Sequence, residues 1–366
     1  MNGKCSAKDR NVVIVGGGVM GLLSAHYLHA QGACLRVLDS SVPGRGASWA
    51  GGGILSPLRP WEYPDAVSAL VQRSIALYSA LSARFLREGG IDIELVQSGM
   101  VYLDAEVAAA TTWAAQWGQA CEMTAPEAIP SIQTGVAARG TAVFFPHTRQ
   151  IRNPRLLRAL IESLGRVGIP VMSHATTRLH TETTGRVAFA LNGEIPDFTP
   201  HYLVSAGAWT SEVLRAVGEF AVRPVRGQML CLKGEPGVLK RIVMKGDRYL
   251  IPRQDGRILV GSTLEEAGFD VRTTAAAREE LWHAAIEILP ALAQYPIEAH
   301  WAGLRPGTPT GIPYIGRHPR FENLWLCTGH YRNGLTMAPA SAELVTDLIF
   351  GKSPAVDPSP YAVATT

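Results

Sequence analysis

The chain has 366 residues, 47% of them hydrophobic and 18% charged, and a net charge of +3. Such a composition can bury a large core, leaves room for two domains and excludes a disordered chain. Basic residues are scattered without a run, which argues against nucleic acid or a lipid surface as partner.

The opening segment MNGKCSAKDR is polar and lacks the apolar stretch of a secretion signal. The cysteines, Cys5, Cys34, Cys121, Cys231 and Cys327, are odd in number, far apart and without CxxC or His-paired spacing. Neither a zinc site nor a disulfide framework is suggested, and a reduced cytoplasmic setting is expected. Val12 to Leu28 is apolar, but four glycines and His26 interrupt it, so no membrane span is expected.

NVVIVGGGVMGLLSAHYLHAQGACLRVLDSS reads as strand, turn, helix, strand. Val12 to Val15 is a β-branched run suited to a parallel strand buried on both faces, and Leu35 to Leu38 repeats it. Gly16, Gly18 and Gly21 between them have G-x-G-x-x-G spacing, and Asp39 ends the second strand. Gly16 permits the tight turn, Gly18 lets a pyrophosphate approach the helix start, Gly21 permits close helix packing, and Asp39 can bind ribose hydroxyls. An acidic residue there disfavours a 2′-phosphate, so FAD or NAD is expected rather than NADP.

Ala47, Ser48, Ala50, Gly51, Gly52 and Gly53 follow, almost without side chains. A backbone that must lie against a flat ring or a phosphate has this composition. The alternative is a flexible loop, but Ile54, Leu55, Pro57 and Leu58 come at once and are hydrophobic. Val67, Val71, Ile75, Tyr78, Leu81 and Phe85 recur at helical spacing and predict a core-facing helix. Asn153 before Pro154 predicts an N-cap and first-turn proline for a helix through Leu164. Ile169 to Leu179 reads as β-structure at a sheet edge, and HYLVSAGAWTSEVL as a strand passing through Gly207 into a helix.

After Arg223 short β-like stretches come in series, Gly227 to Leu232, Arg248 to Pro252, Arg257 to Ser262 and Ala299 to Leu304, with a helix at Ala275 to Leu289. The fold class expected is α/β, a Rossmann-like domain with a second, mainly antiparallel β domain.

Three late residues are candidates for binding an anion: Tyr249 in RYLIPR, Arg305 in WAGLRPGTPTGIPYIG and Arg332 in GHYRNGLTMAPAS. Arg305 precedes Pro306 and cannot be mid-helix, and its guanidinium matches a carboxylate in two-point geometry. For either arginine alone, a solvated surface position is the plain alternative. Arg332 stands before an apolar helix whose positive end should repel it, a local conflict that points to function. A bound anion would relieve it.

On VVIVGGGVMG, Ala47 to Gly53, SAGAW, VRGQML, YLIPR, LVGSTLE, HWAGLRPGTPTGIPYIG and GHYRNGLTMAPAS, in that order, the chain resembles the FAD-dependent glycine oxidases linked to thiamin biosynthesis. These belong to the wider D-amino-acid oxidase and sarcosine oxidase group. The resemblance implies an FAD-binding domain from 1–60, 141–221 and 305–366, and a substrate-binding domain from 61–140 and 222–304. It implies non-covalent FAD held by Gly16, Gly18, Val19, Met20, Gly21, Asp39, Ser40, Ala47, Ser48, Gly52, Gly53, Ile54, Thr177 and Gly207. His330, Tyr331, Arg332, Asn333, Gly334, Leu335 and Thr336 would surround the flavin ring. Arg305 would bind the substrate carboxylate with Arg332 and Tyr249, and Leu264 and Ile54 would wall the pocket. No catalytic side chain is implied.

The activity implied is hydride transfer from glycine, sarcosine or a small D-amino acid to flavin N5, with dioxygen as acceptor and hydrogen peroxide as product, in a homotetramer. Alternatives are an oxidase of a larger N-substituted glycine or D-amino acid, and a flavin-binding protein without oxidase activity. Cys327 lies near the flavin segment, but its strand position reads as structural.

Overall fold

A computed structural model of the chain describes residues 11–137, 140–182, 184–194 and 201–363. The first β-branched run forms the strand Asn11–Val15, inside a six-stranded sheet. The order across that sheet is Tyr314–Arg317, Leu324–Thr328, His201–Val204, Asn11–Val15, Cys34–Leu38 and Val171–Met172. Its pairs are parallel except the one made by the edge strand Tyr314–Arg317. Strand alternation explains the continuous apolar run: Val12 and Ile14 face one core, with Leu22 and Met337, while Val13 and Val15 face another, with Phe189 and Leu326.

Helices Val19–Ala30 and Gly334–Ile349 cover the first face. Helix Asp65–Gly89 joins them, burying Val67, Leu70, Val71, Tyr78, Leu81 and Phe85 in the same core. That helix lies inside 61–140, the segment grouped above with the substrate-binding domain, yet its apolar stripe packs with the parallel sheet.

The second sheet has eight strands, ordered Ile297–Gly307, Arg223–Lys233, Arg257–Gly261, Arg248–Pro252, Ile242–Lys245, Met100–Leu103, Ala142–Phe145 and Glu122–Thr124. Ile242–Lys245 and Met100–Leu103 run parallel; the other neighbours are antiparallel. Helix Ala275–Ile288 packs on it through Leu281, Ala285 and Ile288, capped by Thr274, whose hydroxyl accepts from the Ala277 N–H at 3.3 Å. The mixed α/β fold with a mainly antiparallel second sheet is therefore the one expected.

Two local readings need correction. Asn153 does not cap its helix: it is the first residue of Asn153–Arg166, after the N-cap Arg152, and its side chain turns to the glycine-rich loop. Cys34 is disulfide-bonded, against the expectation of reduced thiols, while Cys121, Cys231 and Cys327 are free. No helix among the described residues is long and apolar enough to cross a membrane.

Candidate active site

The glycine turn after Asn11–Val15 has no space for side chains. Gly16 has φ +114, and a Cβ there would lie 2.3 Å from the Ser205 carbonyl oxygen. At Gly21 it would lie 1.9 Å from the Gly16 oxygen, so the helix rests on its own turn. Gly18 is the N-cap and has no side-chain cap, which leaves amides at the helix start for other acceptors. Ser48 takes one, its Oγ accepting from the Val19 N–H at 3.0 Å. The Asp39 carboxylate accepts from the N–H of Gly17 and of Ser41, each at 2.8 Å, so it braces the turn from the end of its own strand. Ser40 beside it is exposed, and Val19 and Met20 are buried. The N–H groups of His174 and Ala175 bond the Ser41 and Asp39 carbonyls, and the chain then reaches Thr177 at the start of the strand Thr177–Thr181.

The small-residue segment is a built loop. Ala47–Ala50 is one short helical turn, and Asn153 Nδ2 donates to the carbonyls of Ser48 at 3.1 Å and Gly51 at 2.6 Å. Arg253 crosses from the second sheet to donate to the Gly52 carbonyl at 2.8 Å, the Ile151 carbonyl at 3.0 Å and Gln150 Oε1 at 2.7 Å. It is 8% exposed, and burial lowers its guanidinium pKa to about 10. Gly53 has φ +81, with a hypothetical Cβ 2.1 Å from the Ile151 oxygen; one on Gly52 would meet Ile251 Cδ1 at 2.6 Å. Ile54 bridges to Gln150 and packs beside Tyr249 and Ile251. Arg253 and Asn153 are functional supports that the sequence reading missed; the arginine closing YLIPR was the available signal.

Gly329 and the turn Tyr331–Asn333 lead into helix Gly334–Ile349. His330 is buried against this helix, its Nε2 3.0 Å from Ser341 Oγ, and burial lowers its pKa to about 3. It is neutral at ordinary pH and faces inward. Tyr331 is held at φ +47, an uncommon conformation for a residue other than glycine. The Tyr78 hydroxyl anchors the helix start through the Leu335 carbonyl. Thr336 Oγ1 is buried without a hydrogen-bond partner, as is Ser205 Oγ after the strand His201–Val204, while the Asn333 side chain meets Tyr63. Gly207, at φ +55, starts the next turn, and Thr210 ties that turn to Thr328 at 2.7 Å.

Arg305 lies in the strand Ile297–Gly307, with its guanidinium across Gly227 of the neighbouring strand; a Cβ on Gly227 would sit 2.1 Å from Nη1. Nη2 donates to Ser262 Oγ at 2.7 Å and Nη1 to the Thr263 carbonyl at 3.2 Å. Both partners are neutral, and neither Arg305 nor Arg332 forms an ion pair among the described residues. Burial pushes the Arg305 pKa down, the nearby Tyr249 opposes this, and the Arg332 charge adds to it. Tyr249 is 5% exposed and its ring lies on Gly261, where a Cβ would be 2.4 Å from Cε2. Arg305, Arg332 and Tyr249 thus share one region, which Tyr249 connects to Gly52. Tyr63 also stands there: burial raises its pKa against the opposing charge of Arg332. Leu264 is 53% exposed and is an outer, open position next to Thr263. No group of three or more metal-ligating side chains occurs among the described residues.

Comparison with known proteins bears on this arrangement. The family model described as DAO, FAD dependent oxidoreductase, matches residues 11–348. The chain is 44% identical to the glycine oxidase of Pseudomonas aeruginosa, over 97% of this chain and 99% of that protein. It is 31% identical to the bifunctional protein ThiO/ThiG of Nostoc sp. over 93% of this chain, which spans 52% of that protein. The crystal structure of glycine oxidase from Geobacillus kaustophilus superposes with a TM-score of 0.91 at 27% identity, covering 97% of this chain and 99% of that one.

Proposed function

The chain belongs to the FAD dependent oxidoreductase family, and on that premise we propose that it oxidises glycine and small relatives such as sarcosine and small D-amino acids. The protein uses FAD. Its residues fit the cofactor: a helix start whose N-cap glycine offers no side chain, a glycine cradle with no room for a Cβ, and buried hydroxyls of Thr336 and Ser205 without partners. The turn at Gly16 to Gly21 with Asp39 would hold the dinucleotide, the loop Ala47 to Ile54 and the segment His330 to Thr336 would hold the ring, and Thr177 and Gly207 would flank it.

The observation that carries the substrate reading is the half-buried Arg305 guanidinium, bonded to neutral partners and near a second arginine, neither with a counter-charge among the described residues. A partly desolvated pair of cations of this kind is stabilised by an anion that arrives with the ligand. A small carboxylate meets Arg305 in two-point geometry, with Arg332 and the Tyr249 hydroxyl beside it. Clamping that end fixes Cα, which accounts for rate through orientation. When bound, FAD would supply a two-electron acceptor for the Cα hydride that dioxygen reoxidises; the hydride and the proton lost from the substrate nitrogen would leave as hydrogen peroxide, and water would hydrolyse the imine to oxo acid and ammonia or amine. No protein base is called for: His330 is neutral and engaged with Ser341. The substrate amine must be neutral, and two neighbouring guanidinium charges favour loss of its proton.

Exposed Leu264 beside Thr263 favours a second reading, in which a bulkier N-substituent extends outward while the carboxylate end stays clamped. The resemblance also supports a cytoplasmic homotetramer in thiamin biosynthesis. Peroxide release across glycine, sarcosine, D-alanine, D-proline and bulkier N-carboxymethyl amines tests the reading. Turnover of the small amines is expected; a yellow protein releasing peroxide with none of them would overturn it.

A further inference from the structure

We infer that Glu265 is a positioning residue: acting through Thr263 and Ser262, it sets the orientation of the Arg305 guanidinium. The inference rests on the reading of Arg305 as the carboxylate binder.

On one short segment Arg305 meets Ser262 Oγ and the Thr263 carbonyl, and the Tyr249 hydroxyl is a further partner. That segment leaves the strand Arg257–Gly261, and its course is fixed by a polar network beneath it. The Thr263 hydroxyl accepts from the Gln228 N–H at 2.8 Å and donates to Glu265 Oε1. Gln228 Nε2 donates to the same oxygen at 2.9 Å. The other carboxylate oxygen takes Arg226, whose Nε donates at 3.1 Å. Reciprocal backbone bonds at 2.9 Å join Arg226 and Glu265. Arg226 is 8% exposed and also meets Asp270 at 3.2 Å. Burial alone would raise the Glu265 carboxyl, but the bonds from Thr263, Arg226 and Gln228 hold it below its ordinary value.

Two consequences follow. First, the contacts of Glu265 fix the Thr263 side chain, and with it the course of the segment whose Thr263 carbonyl and Ser262 hydroxyl hold Arg305 from one side. Second, Arg226 occupies the charge of Glu265, so this acid does not neutralise Arg305 and its guanidinium stays available to an incoming carboxylate. The residues linked this way, Arg226, Gly227 and Gln228 on one strand and Ser262, Thr263 and Glu265 on the other segment, are those of VRGQ and GSTLE.

The test uses flavin-loaded enzyme, with kcat and KM for glycine and the dissociation constant of acetate read from the flavin spectrum. Glu265→Gln and Thr263→Val should raise KM and the acetate constant by about tenfold, the scale for loss of a supporting partner, with a smaller change in kcat. Thr263→Ser should restore both. In an Arg305→Lys background Glu265→Gln should add little, because the group it orients is gone. Unchanged acetate binding in Glu265→Gln, or full multiplication of the two effects, would overturn the inference. If Glu265→Gln does not fold, the Thr263→Val and Thr263→Ser pair decides it. Unchanged acetate binding in Arg305→Ala would instead remove the carboxylate reading beneath it.

Discussion

Gly16 and Gly21 beside the parallel sheet lack room for a Cβ because backbone lies against them, whereas Gly227 and Gly261 in the second sheet lack it because Arg305 and Tyr249 lie across them. The same residue type serves backbone approach in one region and the seating of long side chains in the other. Two arginines repeat the contrast. Arg253 donates to two carbonyls and a glutamine oxygen and clamps the loop; Arg305 bonds Ser262, Thr263 and Tyr249 and stands near the like charge of Arg332. An arginine surrounded by chain oxygens alone clamps structure, whereas one set beside a second guanidinium favours an anionic ligand.

The largest break in this comparison is expected from Gly21→Ala. Its Cβ would stand 1.9 Å from a backbone oxygen, so the turn cannot form and the purified variant should lack flavin absorbance. Normal yellow protein would show that the turn yields. Next comes Arg253→Ala, which removes the donor from two buried acceptors, at about 1–3 kcal/mol each, and from the half-buried Gly52 carbonyl. Flavin affinity should fall far more than affinity for glycine in the remaining holoenzyme, as titration with FAD and steady-state KM would show. Arg305→Ala should do the reverse, lowering kcat/KM by roughly 100-fold, about 3 kcal/mol, with FAD affinity retained. If the two variants failed in the same measurement, the distinction between clamp and binder would be lost.

A smaller effect concerns acid stability. His330 has a folded pKa of about 3 against an ordinary 6.5, so its neutral form is favoured in the fold. Its contribution is present above pH 6.5 and is lost as pH falls toward 3, amounting to about 2 kcal/mol at pH 5. Melting temperature should therefore drop between pH 7 and pH 5, and His330→Gln should flatten that drop. Turnover, by contrast, should rise with pH above neutrality as the substrate amine loses its proton.

Much of the parallel sheet was legible in sequence because its signals are local. Val12 to Val15, the three spaced glycines and Asp39 fall within one short stretch. Strands Met100–Leu103, Glu122–Thr124, Ala142–Phe145 and Ile242–Lys245 were not, since three or four residues are too few to show a period. At the site, Arg305, Arg332 and Tyr249 stood out as side chains in unusual frames. Arg253, Asn153 and Glu265 did not, because their partners are distant in sequence: Arg253 reaches Gly52, Asn153 reaches Ser48, and the Arg226 that holds Glu265 lies on another strand. Asn153 was read as a cap because Asn-Pro has that local meaning, and a tertiary contact overrode it.

The claim on which the rest turns is that Arg305 and Arg332 await a negative charge. Titrating the yellow protein with acetate and with acetamide, its neutral counterpart of nearly the same shape, addresses it without any substitution. Acetate should perturb the flavin spectrum and compete with glycine while acetamide does neither; equal responses to the two would contradict the account.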